Sequence, residues 1–217
     1  MTRKYTFDYR YFENIDNEAK AYWLGFIYAD GCLCKNGRSI GLKISLSIKD
    51  KQILNDFKKE LNFTGPVRVF KQKKQSKKVL EYCEVALNSF DMANDLQNIG
   101  VHFNKTKTIT YPNLPKELNR HFVRGFWDGD GTVSMDRTYV RSALVSGSEV
   151  FVHQIADVII QAINIKTRVY KDCRREAWRF RITNKRDNTA FYKWMYKNSN
   201  VFLDRKYQIY KKAYGTL

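Results

Sequence analysis

Trp23-Leu24-Gly25-Phe26-Ile27-Tyr28-Ala29-Asp30-Gly31 recurs, with changes, as Val123-Arg124-Gly125-Phe126-Trp127-Asp128-Gly129-Asp130-Gly131. The two Asp-Gly endings lie 130 − 30 = 100 residues apart. Each copy carries small residues four apart, Gly25 and Ala29 in the first, Gly125 and Gly129 in the second. Residues at that spacing share one face of a helix, and a face without bulk lets two helices touch backbone to backbone. Packed in this way, the helices would bring Asp30 and Asp130 to neighbouring positions at C-termini, where the helix dipole is negative. Two carboxylates held close there raise each other's pKa unless a cation intervenes. The arrangement suits hard divalent ions with oxygen ligands, which activate water and stabilise a leaving oxygen in phosphodiester hydrolysis. A single Asp-Gly is ordinarily a turn or helix cap; the duplication is what gives the pair weight. An EF-hand reading of Asp128 onward fails, because its glycine position is Val133 and its bidentate acid is Tyr139.

Working outward, Asp16 or Asn17 can cap a helix running to about Ala29. Residues 39–48 alternate strictly, with Ile40, Leu42, Ile44, Leu46 and Ile48 on one face and Ser39, Gly41, Lys43, Ser45 and Ser47 on the other, as in a half-buried strand. Gln52 to Leu61 is a helix with Ile53, Leu54, Phe57 and Leu61 on one side. Strands follow at about 66–73 and 78–87, joined by a Lys-rich turn, and residues 90–99 form another helix. The first half thus reads helix, two strands, helix, two strands, helix. Two of the three prolines, Pro112 and Pro115, mark a connector, and Pro115 suits the first turn of the next helix. The same order then repeats. Val67-Arg68-Val69-Phe70-Lys71 matches Thr167-Arg168-Val169-Tyr170-Lys171, and Val101-His102-Phe103-Asn104-Lys105 matches Val201-Phe202-Leu203-Asp204-Arg205, both at an offset of 100. The expected organisation is a tandem duplication: one half over 1–104, a connector over 105–114 and a second half over 115–217.

The 217 residues are 43% hydrophobic and carry a net charge of +17. A basic ribosomal-type protein or a membrane-surface binder would share that charge. Here the Lys and Arg are spread through patterned, aromatic-rich segments, which fits a folded surface for nucleic acid. Cys32, Cys34, Cys83 and Cys173 include no Cys-x-x-Cys pair, and Cys32-x-Cys34 has no partner at zinc spacing, so free thiols in a reducing compartment are expected. With no signal peptide and no apolar run near the ~20 residues a membrane span needs, the expected location is the cytoplasm, or an organellar matrix if the gene is organellar.

The paired nine-residue segments resemble the LAGLIDADG motif of the homing endonucleases. Gly25, Phe26, Ile27, Ala29, Asp30 and Gly31 fit the first copy; Gly125, Phe126, Asp128, Asp130 and Gly131 fit the second. Tyr28 replaces the first motif acid and Trp127 an aliphatic residue. The resemblance implies an α+β monomer of two αββαββα halves about a pseudo-two-fold axis, with a central two-helix interface and two antiparallel DNA-binding sheets. It implies a long, non-palindromic double-stranded DNA target, cut across the minor groove to leave short 3′ overhangs. It further implies Mg²⁺ or Mn²⁺ held at Asp30 and Asp130 with the adjoining Gly31 and Gly131. Basic side chains would stand near each scissile phosphate; the repeat points to Lys105 and Arg205, with Lys206 adjacent, although ordinary phosphate contacts would use the same residues. A maturase binding intron RNA and a non-catalytic DNA-binding regulator are the alternatives on this fold. Retention of both acids favours the nuclease. The termini lack the nucleophile and Asn pair of an intein.

Strand alternation gives the expected nucleic-acid surface. Lys43, Ser45 and Ser47 project opposite the apolar face, as do Arg68, Phe70 and Gln72; Arg168, Tyr170, Arg179 and Arg181 are the counterparts, with Phe180 and Ile182 inward. Such a sheet can lie in a major groove. Lys71, Lys73, Lys74, Lys77 and Lys78 on the rim suit phosphate. Residues 139–147 alternate poorly and are left without a DNA face.

Overall fold

The computed structural model describes residues 4–37, 39–73, 79–137, 139–173 and 176–217. In chain order the elements are α1 (Glu18–Asp30), β1 (Gly31–Asn36), β2 (Ser39–Ser47), α2 (Lys51–Glu60), β3 (Arg68–Lys73), β4 (Val79–Asn88), α3 (Phe90–Asn98), α4 (Asn119–Asp130), β5 (Thr132–Asp136), β6 (Tyr139–Ser146), α5 (Glu149–Ile163), β7 (Val169–Asp172), β8 (Ala177–Ile182), α6 (Lys185–Tyr196) and α7 (Asp204–Tyr214). The αββαββα order occurs twice, and α7 is added after the second copy. Helix starts follow from short polar side chains: Asn17 accepts from the Lys20 N–H at 3.0 Å, Ser148 from Phe151 at 3.3 Å and Asn184 from Asp187 at 2.8 Å. No helix among the described residues is long and apolar enough to cross a membrane.

By packing, the chain divides into one unit made of the segment up to Asn14 with Asp30–Asn98, and another made of Ile15–Ala29 with Ile99–Leu217. Nearly all of α1 therefore packs within the second unit, although the sequence repeat places it in the first half.

In the first unit an antiparallel sheet has the order β1-β2-β4-β3. Cross-strand partners share a face. Cys32, Lys43 and Ala86 align on one side, as do Arg68, Glu84 and Ser45, then Phe70, Tyr82 and Ser47. On the other side Leu42, Ile44, Leu46, Cys83, Val85 and Leu87 are buried in a core that includes Ile53, Leu54 and Phe57 of α2. The alternation read over 39–48 is the alternation of burial in β2 from Leu42 to Ser47; Gly41, on the polar face, is buried, where an added carbon would meet the Leu87 carbonyl oxygen and Asn88, and Ile48 lies beyond the strand. β3 is an edge strand exposed along its whole length.

In the second unit the sheet order is β5-β6-β8-β7, also antiparallel. Phe180 and Ile182 are buried, as expected, together with Val140 and Leu144 of β6. The weak alternation over 139–147 has a specific cause: Ser142 takes a core position. It is satisfied there by Asn188 Oδ1 at 2.5 Å and the Tyr210 hydroxyl at 2.6 Å. A buried hydroxyl with two partners is tolerated where an unpaired one is not, and the hydrophobic pattern is broken without breaking the strand.

Candidate active site and nucleic-acid interface

The α1–α4 crossing is built on the two motif glycines. A Cβ on Gly25 would lie 2.0 Å from the Phe122 carbonyl oxygen, and one on Gly125 would lie 1.9 Å from that of Tyr22. Only hydrogen fits at either point. The residue three past each glycine then ties the helix to chain further along. Tyr28 is buried and donates to the Ile99 carbonyl at 2.6 Å. Asp128 is fully buried and accepts from Tyr22 (3.0 Å), Tyr196 (2.8 Å) and the Leu203 N–H (2.7 Å). Burial raises the Asp128 pKa while Lys206 and these three donors pull it down. The Tyr28 replacement therefore swaps an acceptor for a donor in the same anchoring role.

The C-terminal ends of the two helices each meet a lysine. Lys105 sits in the 3₁₀ turn Lys105–Lys107, and its ammonium donates to the Ala29 carbonyl at 3.4 Å. Lys206 on α7 is 4% exposed and donates to the carbonyls of Trp127 (2.7 Å), Gly129 (3.0 Å) and Gly131 (2.5 Å). It thus caps the C-terminus of α4, where orphan carbonyls and the dipole both favour a cation. Arg205, the residue the offset indicated, is exposed. The difference has a backbone origin. Asn104 is left-handed (φ 57°) before the first turn, whereas Asp204 opens directly into a helix, which shifts the inward position by one residue.

Asp130 and Lys105 line one recess of about 190 Å³, together with Tyr28, Ala29, Ile109 and Phe126. The Asp130 side chain reaches solvent at its mouth. The surrounding protein raises its pKa, and Lys105 and then Lys206 oppose the rise. Asp30 ends α1, is half-buried and packs with the first unit. Gly31 and Gly131 are both buried. Among the described residues no group of three or more His, Cys, Asp or Glu could hold a metal by itself. Beside the Lys105 ammonium, the recess holds the Asp130 carboxylate, and a carboxylate with helix-end carbonyls is the kind of oxygen donor set a hard divalent cation takes. The Gly131 carbonyl already accepts from Lys206, which leaves one lone pair for any ion.

Both sheets present a polar face. On the first, Lys43 pairs with Glu84 at 3.1 Å and Ser45 donates to Glu84 at 2.9 Å. Phe70 stacks on Tyr82 with centroids 5.6 Å apart. Ser47, Arg68 and Gln72 are exposed, as are Lys71, which pairs with Glu81 at 3.0 Å, and Lys73. Lys74, Lys77 and Lys78 lie outside the described residues. On the second sheet, Arg168 and Arg181 are exposed, the Arg181 guanidinium lies 5.3 Å from the Tyr170 ring centroid, and Arg179 pairs with Asp172. The register adds what the sequence pattern missed: Thr132, Ser134, Arg141, Ala143 and Val145 share the face of Arg179 and Arg181. Tyr82 and Glu84 are the equivalent additions on the first sheet.

Residues 117–194 match the family model of a LAGLIDADG-like domain. The homing endonuclease I-WcaI bound to its DNA recognition sequence superposes with a TM-score of 0.62, at 11% identity over 89% of this chain and 87% of that one. The chain has the LAGLIDADG fold. I-DmoI in complex with DNA and Mn shares it, with a TM-score of 0.55 and 14% identity over 89% of this chain and 99% of that one. So does full-length DUF199/WhiA from Thermatoga maritima, with a TM-score of 0.58 and 18% identity over 94% of this chain and 64% of that one. Among curated sequences, a probable translation initiation factor IF-2 of Methanocaldococcus jannaschii is 24% identical over 188 residues. The match takes in 81% of this chain and 15% of that protein. The LAGLIDADG helices account for the glycine crossing and for an acid at the end of each helix.

Proposed function

We propose that this protein is a site-specific DNA endonuclease that hydrolyses both strands of a long, non-palindromic duplex across the minor groove, leaving short 3′ overhangs. The observation that carries this reading is the crossing at Gly25 and Gly125 of two helices that each end on an aspartate. A binding module has no evident need of an aspartate at the end of each of two crossing helices in a protein of net charge +17. Asp30 and Asp130 serve as metal ligands, with backbone oxygens at Gly31 and Gly131, and Mg²⁺ or Mn²⁺ when bound would supply Lewis acidity at the phosphodiester. Lys105, in the Asp130 recess, offers a positioned cation to charge that develops during cleavage. On the α4 side Lys206 is buried against three carbonyls, and the exposed Arg205 beside it is the cation proposed to face a phosphate. The chain acts as a monomer, since both halves are present in it. The polar faces of the sheets take the major groove and the rim lysines take phosphates.

Binding of DNA without cleavage is the second reading. The fold is shared with proteins of different names, and a fold alone does not fix chemistry. An intron-RNA ligand is its variant. Incubation of the protein with a plasmid library and Mg²⁺ separates them: Mg²⁺-dependent linear product at one sequence supports the endonuclease, and retention of duplex without any product supports the binder.

A further inference from the structure

Three arginines on one face of the second sheet each have a partner that restrains the guanidinium. Arg141 and Arg179 each carry a carboxylate on one terminal nitrogen, Asp136 and Asp172 respectively. Arg181 is placed over the Tyr170 ring. All three lie on β6 and β8, the two middle strands. They project on one face, where a recess of about 300 Å³ is floored by Ala143 and Val145. When a sheet lies in a major groove, its middle strands go deepest and its rim meets the backbone.

The acids decide the partner. A carboxylate beside a guanidinium cancels most of its net charge, and a phosphate brought to that pair would meet the carboxylate's repulsion. A guanine edge is neutral. Its O6 and N7 need two donors in a fork and no net charge, and arginine supplies that fork. The acid or the ring also restrains a long side chain before binding, which lowers the ordering cost of the contact. Small side chains at 143 and 145 leave the space that bases require.

We propose that Arg141, Arg179 and Arg181 are specificity residues that read guanines in the half of the target beneath the second sheet, with Asp136, Asp172 and Tyr170 positioning them. This rests on the reading that the polar sheet faces engage duplex DNA, but not on cleavage. Among the described residues the first sheet has one arginine on this face, Arg68 on the edge strand β3; its middle strands offer Tyr82, which stacks on Phe70, and Lys43 tied to Glu84. The half-site beneath the second sheet is therefore the richer of the two in guanine.

The test is selection of bound duplexes from a randomised pool by the full chain without metal, followed by titration of the selected site. Guanines should be enriched more strongly in one half-site than in the other. Replacing one of them by 7-deazaguanine, which lacks the N7 acceptor, should weaken binding by about 5- to 150-fold. Arg181→Ala or Arg179→Ala should remove the sensitivity at its own position. Asp172→Asn should tighten binding to unrelated duplex and steepen its salt dependence, because the released arginine takes a phosphate. Because the deaza substitution leaves the protein untouched, it is immune to misfolding of a variant. Selection of sites with no guanine bias overturns the inference while leaving the endonuclease reading intact, and so does uniform weakening of all duplexes by both arginine variants. Failure to retain any duplex overturns both.

Discussion

Gly125 and Tyr22 meet backbone to backbone: a methyl group on Gly125 would stand 1.9 Å from the Tyr22 carbonyl oxygen. The mirror contact, Gly25 against Phe122, leaves 2.0 Å. In both cases the obstructing atom belongs to the main chain of a helix and has no rotamer with which to escape. Gly125→Ala and Gly25→Ala should each cost more than the ~1–3 kcal/mol of ordinary overpacking. Gly37→Ala, at φ 60° with nothing within 4 Å of the added carbon, should cost about 1 kcal/mol. Urea denaturation of the three variants checks the order.

Asp128 and Asp130 are two residues apart and have opposite duties. Asp128 satisfies three donors in the core. Its replacement by Asn leaves the Leu203 N–H and two hydroxyls competing for one carbonyl, and should cost roughly 1–3 kcal/mol. Asp130 reaches solvent and its surroundings disfavour its charge, so Asp130→Asn should leave stability unchanged or slightly raised. Thermal denaturation of the pair should therefore separate them clearly.

The two lysines also divide by role. Lys206→Met removes a buried ammonium from three carbonyls and should destabilise by about 3 kcal/mol or more. Lys105→Met removes a half-exposed ammonium whose contact with the Ala29 carbonyl is long and should cost less than Lys206→Met, about 1 kcal/mol. In single-turnover assays Lys105→Met should slow hydrolysis while the Kd for DNA changes little, since a group acting on transition-state charge affects rate more than binding.

His121 provides a pH prediction. Burial, then the nearby Arg124 and Arg120, lowers its pKa from 6.5 to about 4, with Glu18 opposing. Between pH 6.5 and 4 the unfolded chain binds more protons at this site than the folded one, so unfolding free energy rises with pH across that window. The contribution is complete above 6.5 and lost by about 4, and is on the order of 1–3 kcal/mol. His121→Gln should show a flatter profile over the same range in denaturant titrations; identical slopes would remove His121 from the account.

Much of this was legible in the residues. The order of elements follows from period and punctuation, and the polar faces from strict alternation in residues 39–47. The glycine contacts follow from the four-residue spacing of small side chains in each motif. Three features were hidden for physical reasons. α7 turns Lys206 and Tyr210 inward, side chains whose polarity masks a helical period. Lys206 rather than Arg205 meets α4, because the repeat loses register where a left-handed Asn104 is replaced by a helix start. Arg141 was obscured because its neighbour Ser142 occupies a core position through hydrogen bonds that no hydrophobic pattern records.

The most direct measurement is the fate of a supercoiled plasmid bearing the selected target, incubated with Mg²⁺ and wild-type protein, Asp30→Asn or Asp130→Asn. The wild type should give linear product. Each variant should bind the target with a Kd close to that of the wild type and yield no linear product, with at most nicking of one strand. Linearisation by either variant at the wild-type rate would contradict the assignment of the paired acids as the catalytic metal ligands.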